Sequence, residues 1–129
     1  MARLELFVFS LLISVILETG LILVLLRFWP SLNKEAVVNY PKVSLICVGA
    51  TLISISWLWW IFPLWMGASV LYLPVGELLV TLFEGMMYKV LLSLKWSGAL
   101  LLSALANGFS FTVGIMLFVL VPGFANLSL

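Results

Sequence analysis

Four apolar runs, each close to the length a coiled chain needs to cross a bilayer, dominate this sequence. Hydrocarbon offers no water to backbone N–H and C=O groups, so such a run must satisfy its own hydrogen bonds as a helix. A crossing takes roughly 20 residues. The runs lie at about 6–28, 43–62, 74–94 and 98–121. Pro63 and Gly67 end the second, Pro74 suits the first turn of the third, and Pro122-Gly123 stops the fourth. The expected fold is all-α: a polytopic integral membrane protein whose four transmembrane helices form an antiparallel bundle, a single transmembrane domain over residues 1–129.

Composition agrees with lipid as the solvent. Of 129 residues, 65% are hydrophobic and 9% charged, against about 25% charged in soluble domains. A net charge of +1 leaves no basic face for nucleic acid. Histidine is absent, which removes the commonest ligand of haem, zinc and copper and the usual general base near neutral pH. The lone Cys47 sits in an apolar run and reads as a packing residue. With no Ser/His or Ser/Lys pairing at matched depth, no catalytic residues are expected and the chain reads as a non-enzyme. No cofactor is expected beyond a proton or a small cation, and any metal is left unspecified. The N-terminal run contains Glu18, ends at Arg27 and has no small-residue cleavage site, so it reads as a first helix rather than a cleaved signal. No internal repeat stands out.

Lysine and arginine set orientation. Arg27, Lys34, Lys42, Lys89 and Lys95 fall on one side, and only Arg3 on the other. The expectation is a multi-pass cell-membrane protein with both termini outside and the loops 29–42 and 95–97 cytoplasmic. Trp57, Trp59, Trp60, Trp65 and Tyr72 gather at the outer connection, with Trp29 and Trp96 near the inner one; an interfacial belt fits both groups.

Against this apolar background a polar seam is conspicuous. On the third helix Glu77, Thr81, Glu84 and Tyr88 follow at steps of 4, 3 and 4, which keeps them on one stripe. On the fourth, Ser103, Asn107, Ser110 and Gly114 repeat that spacing. Folding the hairpin about its tight turn pairs Tyr88 with Ser103, Glu84 with Asn107, Thr81 with Ser110 and Glu77 with Gly114. Weaker stripes run through Ser10, Ser14 and Glu18 on the first helix and Cys47, Thr51 and Ser54 on the second.

At 1.5 Å per residue Glu84 and Asn107 lie roughly 15 Å into their helices, and Glu18 is also near mid-helix. Glu77 lies only a turn from Pro74, at a mouth. An ionised carboxylate at the bilayer centre costs roughly 2.5–3.5 kcal/mol on insertion scales. Glu18 and Glu84 must therefore be protonated, hold a cation, or meet a basic group of another subunit, and as neighbours they titrate together. Serines and threonines in such a seam more often serve as interhelical glue, whereas intramembrane carboxyls mark ion or proton paths.

Two functions follow as expectations. One is proton- or cation-coupled transport or channel activity in a homo-oligomer, with Glu18, Glu84 and Asn107 as the exchange site. Asn107 would serve there as an oxygen ligand or hydrogen-bond partner, and Glu77, Thr81, Tyr88, Ser103 and Ser110 would line the route. The alternative is a non-catalytic accessory subunit of a larger membrane complex. The partners expected are the lipid bilayer and either further copies or partner membrane subunits. In size, helix number and Glu18 within Ile16-Leu17-Glu18-Thr19-Gly20, the chain is similar to the small multidrug resistance transporters. It departs from them in Glu77, Glu84 and its one-sided loop charge.

Overall fold

The computed structural model describes residues 2–29, 39–67 and 69–120. These form α1 (Ala2–Phe28), α2 (Tyr40–Trp60), the single turn α3 (Pro63–Met66), α4 (Tyr72–Leu91) and α5 (Trp96–Leu120). The regular structure of the described residues is thus all helical, and among them three segments are long and apolar enough to cross a membrane: Leu4–Phe28, Tyr40–Met66 and Trp96–Leu117. The fourth long helix, α4, spans 20 residues and carries Glu77, Glu84 and Lys89. Lys34, Glu35 and the Pro122-Gly123 stop lie outside the described residues.

Local chemistry sets the helix ends. Asn39 caps α2 by accepting from the Lys42 backbone N–H at 3.1 Å, and Pro41 occupies its first turn, where no N–H is needed. Pro63 then redirects the chain into α3, which Gly67 closes with φ +55°, a conformation open mainly to glycine. The third long helix ends at Leu91 rather than 94, because Ser93 adopts φ 57° and breaks the ladder. The fourth begins two residues earlier than expected, since the Lys95 carbonyl already accepts from the Ala99 N–H at 2.9 Å. The inner turn is therefore 92–95, not 95–97.

Helices α1 and α4 do not pack on each other as neighbours; each lies between α2 and α5. The four long helices thus run round the bundle in the order α1, α2, α4, α5. At one end the irregular connection is closed by rings: Trp57 stacks on Phe62 at 4.9 Å, Phe62 on Tyr72 at 5.1 Å, and the Tyr72 hydroxyl donates to the Leu58 carbonyl. These aromatics anchor the end of the bundle to each other, and Phe7 joins them from α1 against Trp59 and Trp60. At the other end Leu26, Val43, Leu94 and Ala99 are buried with Ile22, Cys47, Tyr88 and Leu102 in one apolar cluster. Between the two ends lies the polar seam.

Candidate functional site

Glu18 from α1 and Glu84 from α4 enter the bundle from diagonally opposite helices, and both are buried, at 1% and 0% exposure. Glu18 accepts from the Thr51 hydroxyl at 2.7 Å through Oε2 and from the Ser110 hydroxyl at 2.7 Å through Oε1. Glu84 accepts from Ser54 at 2.5 Å through Oε1 and from the Asn107 amide at 2.7 Å through Oε2, with the Tyr88 hydroxyl a distant 3.5 Å away. All four carboxyl oxygens therefore have a partner. The donors are three hydroxyls and an amide in close contact, and among the described residues none of these bonds comes from lysine or arginine.

The remaining bonds close the arrangement into a ring. Ser54 also reaches the Thr51 carbonyl at 3.2 Å, and Ser110 the Asn107 carbonyl at 3.1 Å. The circuit runs Glu84, Ser54, Thr51, Glu18, Ser110, Asn107 and back to Glu84. Donors come only from α2 and α5, carboxyls only from α1 and α4.

The ring has a two-fold pattern. An offset of 66 residues carries Glu18 onto Glu84 and the fully buried Ile22 onto the fully buried Tyr88. An offset of 56 carries Thr51 onto Asn107 and Ser54 onto Ser110, and also takes the buried Val43, Cys47 and Ala50 onto the buried Ala99, Ser103 and Ala106. The bonds obey the same exchange. Each glutamate accepts from the first polar residue of the helix that follows it, Thr51 or Asn107, and from the second of the other hairpin, Ser110 or Ser54. The chain thus contains two related helix pairs, α1–α2 and α4–α5, whose glutamates belong to one buried hydrogen-bonded circuit.

Several expected pairings resolve differently. Glu84 and Asn107 do meet, and of the two expected roles Asn107 takes that of hydrogen-bond partner, through its amide nitrogen. The Ser103 carbonyl, 3.0 Å from the same nitrogen, holds that orientation. Ser110 bonds Glu18 rather than the Thr81 level, because a carboxyl oxygen across the bundle is the stronger acceptor. Ser103 donates to the Thr81 carbonyl at 2.8 Å rather than pairing with Tyr88. Gly114 is exposed and pairs with nothing at Glu77. Thr51 and Ser54, absent from the expected site, complete it; their i, i+3 spacing, repeated by Asn107 and Ser110, was the available signal.

Glu77 and Thr81 are half-buried and line a groove between α4 and α5 together with Pro74, Ala104, Asn107 and Gly108. Asn107 belongs to both groove and ring, so it is the link between the bundle surface and the carboxyls. Replacing Ser103 by alanine removes one interhelical bond from this region. It is expected to lower stability by about 0.6–1.7 kcal/mol, the range for such bonds in membranes, as read by unfolding in mixed micelles.

Compared with known proteins, the chain matches no family model, no curated protein and no solved structure.

Proposed function

We propose that this chain is a proton- or cation-coupled transporter or channel, acting as a homo-oligomer, with Glu18, Glu84 and Asn107 at its exchange site. In this reading α1, α2, α4 and α5 all cross the membrane as an antiparallel bundle. At 20 residues α4 reaches about 30 Å, enough for the hydrocarbon, once its charged side chains turn inward or to its ends. Both termini face outward, and the ends bearing Arg27, Lys42, Lys89 and Lys95 face the cytoplasm.

One observation carries the proposal: two buried carboxyls at the centre of an apolar helical protein, solvated by neutral donors rather than by a resident cation. For packing alone such groups are a poor choice, since each costs free energy that an apolar residue would not. The groove is apolar over almost all of its lining, so in this reading access follows only the polar residues that reach it. Glu77 stands at its outer part, Thr81 and Asn107 follow, and Glu84 lies directly behind Asn107. On the cytoplasmic side the cluster around Ile22, Tyr88 and Leu102 closes the path, so passage requires the two hairpins to move against each other. A second copy seated over the groove would shield Glu77 from lipid.

Purified protein reconstituted in vesicles tests this directly. Glu84→Gln is expected to reduce proton-linked flux at least tenfold relative to wild type; equal flux in the two removes the proposal. A second reading, an accessory subunit of a larger complex, is favoured by the exposed small residues Ala104, Gly108 and Thr112 beside that groove. Such a stripe lets another helix approach closely. Gentle extraction separates the two: a homo-oligomer supports transport by this chain, a stable heteromer the accessory role.

A further inference from the structure

We propose that the ligand of the glutamate pair is the proton itself and not a metal ion, exchanged at two equivalent carboxyls by reversal of the Ser54 and Ser110 hydroxyls. The proposal deepens the exchange-site reading and rests on it only in taking these carboxyls as the working groups.

The donor set argues first. A hard metal cation needs several oxygen lone pairs directed at it, six to eight in the case of calcium. Here every carboxyl oxygen already faces a hydrogen-bond donor, and Asn107 is locked with one N–H toward Glu84 while its other donates to the Ser103 carbonyl. A cation placed at Glu84 Oε2 would meet an Asn107 N–H hydrogen, which unlike a hydroxyl hydrogen cannot rotate away. Among the described residues no third acidic, cysteine or histidine side chain joins the pair to complete a metal site.

The serines argue second. Each has one hydroxyl hydrogen and two acceptors within reach. For Ser54 these are Glu84 Oε1 at 2.5 Å and the Thr51 carbonyl at 3.2 Å; for Ser110 they are Glu18 Oε1 at 2.7 Å and the Asn107 carbonyl at 3.1 Å. With the carboxylate ionised, the serine donates to it. When a proton arrives on Oε1, the new carboxyl O–H donates to the serine Oγ, and the serine hydrogen rotates to the backbone carbonyl. The serine keeps its own O–H while its hydrogen bond to the carboxyl reverses direction, no heavy atom need move, and every donor keeps an acceptor in both states. A polar group that is fully partnered before and after gaining a proton avoids the penalty of an unsatisfied buried group. That both glutamates possess the same device, related by the two-fold pattern, makes a coincidence of packing an inadequate account.

The groups that face the pair are few. Glu18 is met by Thr51 of α2 and Ser110 of α5, with Glu84 and Glu77 of α4 within electrostatic reach. Glu84 is met by Ser54 of α2, Asn107 of α5 and Tyr88 of its own helix, and Cys47 of α2 lies beside Tyr88.

Infrared difference spectroscopy of the full chain in lipid nanodiscs reads this without any ion gradient. A protonated-carboxyl stretch is expected to titrate with pH. About half of its amplitude should vanish in Glu18→Gln and about half in Glu84→Gln, the double variant supplying the background from other carboxyls. In the Glu18→Gln protein, Ser54→Ala should shift the remaining band and Ser110→Ala should not; in Glu84→Gln the two should exchange roles. Sodium, potassium, magnesium or calcium added at fixed pH should leave the band unchanged. Loss of the band on adding one of these cations overturns the proposal, as does a band that never titrates or that ignores both serine variants. If the glutamine variants fail to fold, the serine variants and cation additions on the wild-type background decide alone. A band that behaves as expected in a protein without flux supports the proton site and removes the transport function.

Discussion

Substituting lysine for both glutamates is expected to cost about 5 kcal/mol or more of folded stability, whereas Glu84→Lys alone costs about 1–2 kcal/mol. The contrast follows from the ring. In the single variant the new ammonium sits in the same buried circuit as Glu18, with the Ser54 Oγ and the Thr51 carbonyl as further acceptors. A pair of carboxyls partnered only by neutral donors becomes an ion pair. In the double variant two cations share the pocket and neither carboxylate of the ring is left, while the Asn107 amide faces position 84 in both variants. Each buried lysine alone costs roughly 2.5–3.5 kcal/mol at a bilayer centre, and like charges add to that. Tryptophan fluorescence during SDS titration in mixed micelles checks the order, the chain having six tryptophans. A loss in the double variant no larger than the sum of the two single losses would mean that the two carboxyls do not occupy one pocket. The single variant should also be inert in any proton exchange, since an ion pair holds its proton on the lysine.

The contrast between what was legible in the sequence and what was not follows from the distance over which each feature is encoded. Apolar runs of spanning length announce themselves because lipid tolerates nothing else. The Glu84–Asn107 contact was also within reach: a tight turn joins α4 to α5, so helical spacing on either side sets their register. Glu18 with Thr51 and Ser110 is another matter, for these residues are far apart along the chain. Their meeting depends on the order of helices round the bundle, which no local spacing records. The same reason hid the repeat. Of the aligned buried positions, Glu18/Glu84, Ala50/Ala106 and Ser54/Ser110 are identical, but Ile22 faces Tyr88 and Thr51 faces Asn107. The stretch from the glutamate to its partner on the next helix is also ten residues longer in the first half, 33 against 23, the difference between offsets of 66 and 56. Small residues and lone hydroxyls carry the equivalence, and these are the types a hydropathy pattern ignores. The ends of α4 and α5 were missed by two or three residues for a local reason: a serine accepted a left-handed turn usually left to glycine.

The close approach of α4 and α5 gives the second large effect. A Cβ placed on Gly85 would lie 2.7 Å from Leu100 Cδ2 and 3.4 Å from the Leu100 Cα, so the two helices touch almost backbone to backbone beside Glu84. Gly85→Ala meets mainly the end of one flexible side chain, and replacing a mid-helix glycine returns up to about 1 kcal/mol. The two terms nearly cancel. Gly85→Leu has no such escape: its branched end must displace α5, and overpacking of this kind costs about 3 kcal/mol at the upper end of its usual range. Moving α5 outward also draws Asn107 away from Glu84, so exchange at the carboxyls should fail even in the fraction that stays folded. Gly108 is the control on the same helix pair, because a Cβ there meets nothing within 4 Å. Gly108→Leu, with no clash to offset the same propensity gain, is expected to leave the monomer at least as stable, by up to about 1 kcal/mol, while weakening any assembly that uses the groove. The comparison needs only unfolding curves and cross-linking of the two variants. If Gly108→Leu unfolds the monomer as readily as Gly85→Leu does, the packing of α4 on α5 is not the joint that holds Asn107 to Glu84.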